Sequence, residues 1–451
     1  MRTAWSTTHP RWLTAFVFAL ILPLLTSHRN CFGQANVEIE IEHLWRLQAE
    51  GQWLEALDET KALLAMLEKN GADEGGPMAD TFLTFAVFRA SFASNAGALA
   101  DATEIFEIIE DLSKKRSFTT ALALNRPRKT DDEEASKKRL FRYQQMVDLR
   151  NFYLLDAQIR SALAKQQYDL AENLVATSIR ARRSSSSRAA MLRDENREGR
   201  ILSPKQLAEL STFQPHHQAT LLYLAEKQPS RAKTYFTNMI EDAERAVFEA
   251  FHDTNQRGAD QLALCPEWPS GARSPSSQQR EAARLRALVE DTRGRLALVH
   301  DDLTGADTAF TAALDYWQRA YGGDHPEAIS TMISSAEIAL QRVRDSSNSR
   351  DAKTSAVRAR KAERLLKTAE QLAEPALVAT HPDVTRISEL LAEAQALTSA
   401  SEVNFADLEA AERAATDALR SMARFVVSQQ SIAAGSAAAK PDASPAAAAS
   451  D

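Results

Sequence analysis

The stretch that decides the fold spans residues 288–326, LVEDTRGRLALVHDDLTGADTAFTAALDYWQRAYGGDHP. Apolar residues recur at helical spacing on both sides of a short polar segment, which predicts two helices joined by a tight turn. The stretch ends in Gly-Gly-Asp-His-Pro, a loop that cannot continue a helix. Small residues stand where the two helices must approach each other closely; these are Gly294, Ala306 and Ala313.

The same pattern returns further along the chain at a constant distance. The matched pairs are Ala306 and Ala362, Phe310 and Leu366, Ala313 and Ala369, and His325 and His381. The members of each pair lie 56 residues apart (381 − 325 for the histidines). The polar run 344–355 (RDSSNSRDAKTS) is interpreted as an insertion between two helices. A third, partial copy supplies Ala411, Ala415, Ala418 and Leu419.

These residues resemble the tetratricopeptide repeat of the kinesin-light-chain type. In that repeat a small residue in the first helix is followed by Ala, an aromatic residue and Ala-Leu in the second helix, and then by G-x-x-H-P. The resemblance covers residues 288–419 well and the earlier half only loosely. It implies an all-α solenoid of tetratricopeptide-type helical hairpins, a right-handed superhelix of about six or seven helix pairs. Neighbouring pairs would stack because no single pair can bury its apolar face alone.

Composition agrees with a helical chain. Among 451 residues only 14 are Gly, while 44% are hydrophobic, which is enough for a large core. Ala, Leu, Glu and Arg, which favour helices, are abundant. The chain shows no convincing alternation of apolar and polar residues that would predict strands.

Weaker repeats are expected in the first half of the chain. Residues 36–68 predict a helical hairpin with Gly51 and Trp53 at its turn, and residues 71–77 (GADEGGP) predict a break. Further hairpins are expected with turns near residues 94–97 and 165–167. The run 180–188 (RARRSSSSR) is predicted to be a surface loop, with contact to an anionic partner as the alternative.

The expected domain organisation follows from these patterns. Residues 1–35 form a secretory signal peptide and residues 36–264 form degenerate helical repeats. Residues 265–280, rich in Pro and Ser, form a linker. Residues 281–430 form the kinesin-light-chain-like repeats, ending in a helix from Asp407 to about Gln430. Residues 431–451 form a disordered tail of Ala, Ser and Pro.

The N-terminal segment predicts export. It carries Arg2 and Arg11 and no acidic residue, followed by the apolar run 12–25 (WLTAFVFALILPLL) and then Gly33-Gln34-Ala35. As a helix this run would rise about 21 Å, short of the roughly 30 Å hydrocarbon core of a bilayer. We therefore expect cleavage and a secreted or periplasmic protein of bacterial type. The alternative is an uncleaved N-terminal membrane anchor.

Charge and cysteine content restrict the partners. The net charge of the full chain is −7, and removing residues 1–35 takes away three arginines and no acids, so it becomes −10. This argues against nucleic acid as the main ligand. Only Cys265 would remain after cleavage, so an internal disulfide is excluded and packing must hold the protein together.

Motifs that carry chemistry are missing from the sequence. There is no phosphate-binding glycine loop, no Gly-x-Ser-x-Gly and no His-Glu-x-x-His. His216 and His217 are neighbours, which point about 100° apart on a helix and cannot both bind one metal. The cluster His300, Asp301 and Asp302 falls at a helix end, where charged residues are common. We therefore expect no enzyme activity, no cofactor and no metal.

The resemblance implies that a partner binds the concave wall formed by the first helices of the pairs. The candidate residues there are Asp291, Arg295, Ser330, Ile333, Glu337, Arg386, Glu389 and Glu393. The leading hypothesis is an exported, non-enzymatic scaffold that binds a protein or peptide. The alternatives are a membrane-anchored envelope assembly factor, or a small-molecule-binding, sugar-binding or enzymatic module in the first half.

Overall fold

A computed structural model describes most of the chain outside its two ends. The described residues are 43–44, 46–48, 50–75, 78–115, 117, 122, 133–195, 212–251, 277–322, 324–346 and 352–399. The predicted signal peptide, most of the predicted linker, the helix expected from Asp407 and the tail lie outside them. No strand occurs within these ranges, so the predicted all-α class is confirmed for the described part.

Helical residues precede Gly51, and α-helices follow in regular succession. They are α1 (Trp53–Lys69), α2 (Ala79–Ala96), α3 (Leu99–Lys114), α4 (Glu133–Ala164), α5 (Tyr168–Glu195), α6 (Phe213–Ala225), α7 (Pro229–Phe251), α8 (Ser277–Val299), α9 (Leu303–Tyr321), α10 (Ile329–Ser346), α11 (Ala352–Ala373) and α12 (Pro382–Ser399). Short 3₁₀ turns lie at Ala72–Glu74 and Pro326–Ala328. The first of these falls in the break predicted at residues 71–77.

The helices pack as neighbouring hairpins. The first pair consists of the helical residues before Gly51 and α1, and the next are α2 with α3, α4 with α5, α6 with α7, α8 with α9, and α10 with α11. The second helix of each pair also packs against the first helix of the following pair. The first helices α2, α4, α6 and α8 contact one another in that order. Each pair therefore buries its apolar face against the next one.

The turns inside the first five pairs share one geometry. Each contains a residue with φ near +60° to +75°, and the next residue donates its backbone N–H to the carbonyl five positions earlier. This satisfies carbonyls that the helix end leaves free. The left-handed residues are Gly51, Gly97, Gln166, Lys227 and Asp301.

Gly294 allows two helices to approach, as its position in the pattern predicts. A Cβ placed on it would lie 2.7–2.9 Å from the ring atoms of Phe310 on α9. Phe310 is fully buried together with Ala306 and Ile338. The small residue of the first helix and the aromatic residue of the second are therefore complementary parts of one contact.

One core cluster crosses the predicted boundary between the two halves. It contains Ile159, Leu222 and Met239 from the first half and Leu285 and Val289 from α8. Helix α8 begins at Ser277, inside the segment 265–280 that was expected to be a linker. Within the described ranges, α7 also packs directly on α8, so the two halves share buried surface.

The loop predicted at residues 180–188 is wrong, because α5 continues through it to Glu195. Its Arg182 is 2% exposed and donates to Asp156 Oδ2 on α4 at 2.6 Å, with its guanidinium 4.6 Å from the centre of the Phe152 ring. Ser185 is also buried and donates to Asp148. Arg182 and Ser185 therefore face the partner helix, where Asp156 and Asp148 accept their hydrogen bonds, while Arg180, Arg183 and Ser184 are exposed.

The insertion predicted at residues 344–355 is largely helical. Helix α10 runs to Ser346 and α11 begins at Ala352, so only residues 347–351 separate them and they lie outside the described residues. Helix α11 has 22 residues. It begins ten residues before Ala362, whereas α9 begins three residues before the matching Ala306 (362 − 352 and 306 − 303), so part of the extra length lies in an extended start of α11.

Candidate functional site

The candidate site is the surface formed by first helices α8, α10 and α12, which we call the inner face. Side chains from α8 and α10 meet directly, since Arg295 donates to Ser330 Oγ at 2.6 Å and Thr331 donates to Asp291 Oδ1 at 2.8 Å. Helices α10 and α12 are also in contact. The eight predicted residues thus lie on three helices that follow one another across the surface.

The α8 end of the inner face is a buried polar network. Asp291 is 7% exposed and accepts from Arg295 Nε at 2.7 Å as well as from Thr331. Thr331 in turn accepts from the indole N–H of Trp317 at 3.3 Å. Burial opposes the charge on Arg295, but the Asp291 carboxylate outweighs it and raises the Arg295 pKa. These groups hold the helices in register.

The α12 end of the inner face is open to solvent. Arg386 donates to Glu337 at 2.7 Å and to Glu389 at 3.3 Å, which joins α12 to α10. A second bridge joins the same helices, with both Glu393 oxygens accepting from Arg344 at 2.7–2.8 Å. The hydrogen bond to Glu337 raises the Arg386 pKa, and the hydrogen bond from Arg344 lowers the Glu393 pKa. About half of each arginine side chain remains exposed.

Ile333 differs from its neighbours on the predicted list. It is 6% exposed and belongs to the core cluster that also contains Ile329, Leu340 and Leu366. Its side chain therefore stabilises the packing of α10, while Ser330 and Glu337 carry the polar surface of that helix.

A further charged pair at the inner face was missed by the sequence reasoning. Arg284 of α8 donates to Glu327 at 3.0 Å, directly after the His325-Pro326 loop. Burial opposes both charges, but each partner favours the other, so the Arg284 pKa is raised and the Glu327 pKa is lowered. Tyr321 stacks on His325 with ring centres 3.6 Å apart. The place of Glu327 directly after the His-Pro loop could have marked it as a candidate. Nothing in the sequence indicated that Arg284 would be its partner.

Near that pair, buried nitrogen atoms of two residues lack hydrogen-bond partners. His217 on α6 is 8% exposed and neither ring nitrogen has a partner, and the Nε of Arg160 on α4 is also buried without one. Burial is the main cause that lowers the His217 pKa to about 4. His217 and Arg160 both feel the charges of Arg284 and Glu327, so α4, α6, α8 and the Pro326 turn converge on one region.

The other histidines noted in the sequence have local roles. Buried His216 bonds through Nδ1 to Asp242 at 2.6 Å, so it points away from the environment of His217. Asp302 caps α9 by accepting from the Gly305 amide at 2.8 Å. His325 and His381 each accept, through Nδ1, from the amide two residues ahead, which shapes the His-Pro loops.

One group among the described residues has the composition of a metal site. Ligand atoms of His43, Glu55 and Glu59 lie within 4.8 Å of one another. His43 already contacts Glu59 through Nε2 at 2.7 Å and Arg46 through Nδ1. Because Arg46 donates to Nδ1, the Nε2–H of His43 donates to Glu59, so these contacts form a hydrogen-bond network in which the imidazole has no free nitrogen for a cation.

No protein-family model matches the chain, and neither the curated proteins nor the solved structures gave a significant match. Within the described ranges, no helix combines the length and apolar character needed to cross a membrane. The described residues define the class of the fold: they form helices and no strand, and the helices pack in neighbouring pairs.

Proposed function

We propose that the protein is an exported, non-enzymatic solenoid of tetratricopeptide type that binds a protein or peptide on its inner face. The observation that carries this proposal is the row of charged side chains on α8, α10 and α12. Cross-helix bonds hold them in place before any partner binds. Preorganised charged groups select a partner at little entropic cost.

The regular hairpin geometry supports the solenoid part of the proposal. The turns inside the first five pairs follow one hydrogen-bond pattern, and second helices pack on the first helices of the next pair. Repetition of one hairpin with one neighbour contact generates a superhelix. First helices then line one wall, on which Arg386 and Glu389 stay exposed.

The experiment is affinity capture from the envelope fraction of the native host, with residues 36–451 as bait. The test variant is Arg386→Glu with Arg344→Glu, which reverses two exposed charges of the inner face. Each loses a surface ion pair, worth roughly 0–1 kcal/mol, so the bait should remain folded. Arg295→Glu is avoided because it would place a second carboxylate beside buried Asp291.

The matched control reverses two arginines that lie elsewhere. Arg245 on α7 is 65% exposed and Arg293 on α8 is 51% exposed, each in an ion pair three residues away. We expect one protein to be enriched by the wild-type and control baits and lost with the test bait. Equal recovery on all three baits would place binding outside the inner face. If the baits are folded and none of them captures a protein, the scaffold proposal is contradicted.

A further inference from the structure

Two turns near the start of the described chain touch two loops near its end. The Gly51 turn lies against Pro326, and the Gly97 turn lies against the ring of His381. The Val378 amide donates to the carbonyl of Ala96 at 3.0 Å. Trp53 and Ala96 are buried in the same core cluster as α10, α11 and α12. These contacts join pairs that are distant in sequence.

Glycine is required at the two docked turns for a reason that the other turns lack. All five turns place a residue in the left-handed region, yet three of them use Gln166, Lys227 and Asp301 there. Backbone conformation alone therefore tolerates a side chain. A Cβ on Gly51 would overlap Pro326, and a Cβ on Gly97 would overlap His381. Glycine stands where the turn must approach another part of the protein closely.

The two contacts have the same register. Gly51 belongs to the first pair and meets the loop between the fifth and sixth pairs, whereas Gly97 belongs to the second pair and meets the loop after the sixth. Each turn thus docks on the loop that follows the pair four further along. A repeated displacement of this kind is what one closed turn of a superhelix produces.

The docking surface is small compared with the packing between neighbouring pairs. It consists of two turns on two loops, one backbone hydrogen bond and the Trp53 side chain. If it opens, every helix keeps the partner that it packs on along the chain. Openings that break few buried contacts require little free energy. The free energy needed to open this contact should therefore be far smaller than the free energy of global unfolding.

The loops that receive the turns also position charges of the inner face. Glu327, which binds Arg284, follows the docked His325-Pro326 directly. Asp383, whose charge acts on Arg295, follows the docked His381-Pro382. Movement of a turn away from its loop would therefore change the inner face at two places.

We propose that the docked Gly51 and Gly97 turns form an intramolecular latch that closes the solenoid on itself and restricts access to the buried α8 end of the inner face. The partner reaches that end when the latch opens. This inference rests on the proposed function for the identity of what enters, but the opening of the latch can be measured without any partner.

The first test measures amide hydrogen exchange by mass spectrometry in Gly97→Ala. The control is Gly322→Ala. Gly322 ends α9 with φ +78°, and a Cβ added to it would have no atom within 4 Å. Both variants carry the same left-handed alanine strain of roughly 1–2 kcal/mol. We expect exchange in residues 378–384 to be about tenfold faster in Gly97→Ala and less than twofold faster in Gly322→Ala. Equal effects of the two variants on this segment would overturn the latch.

A second variant keeps the test decisive if Gly97→Ala does not fold. His381→Asn removes the ring that meets Gly97 but retains an acceptor for the Asp383 amide. It should raise exchange in residues 93–98, on the opposite side of the contact, by a similar factor. Unchanged exchange there would also overturn the latch.

The gating role is tested by locking the contact. Ala96→Cys with Val378→Cys places cysteines at two residues that share a backbone hydrogen bond, in a Cys265→Ser background, and mass spectrometry verifies that the disulfide has formed. The oxidised bait should capture at least about fivefold less of the partner than the same bait after reduction, which is a difference of about 1 kcal/mol. Equal capture would contradict gating. Capture by neither form, together with faster exchange in Gly97→Ala, would leave the latch standing and count against the proposed function.

Discussion

At the scale of the residue, the unpartnered imidazole of His217 should make stability depend on pH. Its pKa in the folded protein is about 4, below the ordinary 6.5, because burial disfavours the charged ring. The unfolded chain therefore binds this proton more readily, and the free energy of unfolding should fall as pH drops from about 6.5 to about 4. The full effect is on the order of 3 kcal/mol.

The variant His217→Leu tests this contribution. It should be at least as stable as wild type at pH 7, because it removes a buried polar group that has no partner. Its unfolding free energy, measured with urea, should decline less between pH 6.5 and pH 4. His300→Leu, at an exposed position, serves as the control. If the unfolding free energy of His217→Leu changes with pH as steeply as that of wild type, other groups cause the pH dependence.

Arg182 makes the second prediction at this scale. Asp156→Ala leaves its buried guanidinium without the carboxylate 2.6 Å away, and this should lower the unfolding free energy by about 3–5 kcal/mol. The double variant Asp156→Leu with Arg182→Met should lose clearly less, because it removes both charges. Arg183→Met, at the exposed next position, should change stability by less than about 0.5 kcal/mol. Urea unfolding measures all three.

At the scale of the element, the contact between Gly294 and Phe310 predicts a rescue. Gly294→Ala should destabilise by about 1–3 kcal/mol, although Ala favours helix, because its Cβ would lie within 3 Å of the Phe310 ring. Adding Phe310→Leu should recover part of the loss by making room. If Gly294→Ala instead raises the melting temperature, the helices separate easily and the close approach is not required.

Helical hairpins were predictable where one short pattern defines both helices and the turn. Three features define the pattern: Gly294, Phe310 and the His325-Pro326 loop. Each has a steric reason, since glycine permits close approach of two helices, the aromatic ring fills the contact and proline prevents the helix from continuing. Residues 180–188 were predicted wrongly because arginine and serine are usual at surfaces. The burial of Arg182 and Ser185 depends on Asp156 and Asp148, which are distant in sequence. The ion pairs of the inner face could not be predicted for the same reason. The pairing of Arg284 with Glu327 depends on how two repeats stack.

At the scale of the whole molecule, the core shared by residues up to Ala243 and from Ala282 onward predicts that the two halves stay together after a chain cut. A protease site inserted within residues 265–276 should give two fragments that co-elute in size-exclusion chromatography, because Leu285 and Val289 are buried against α6 and α7. The same cut in a Val289→Asp background should release them. Separation of the fragments without that substitution would show two independent domains.

The docked turns also bear on the order in which the protein acquires its structure. Every hairpin uses contacts between neighbours in sequence, and such local contacts form quickly as a chain emerges. The Gly51 turn must wait for Pro326, which is synthesised much later. Closure of the proposed latch is therefore expected late in folding, and a chain interrupted before the His-Pro loops would carry folded hairpins with Trp53 uncovered, an exposed apolar surface of the kind that promotes aggregation.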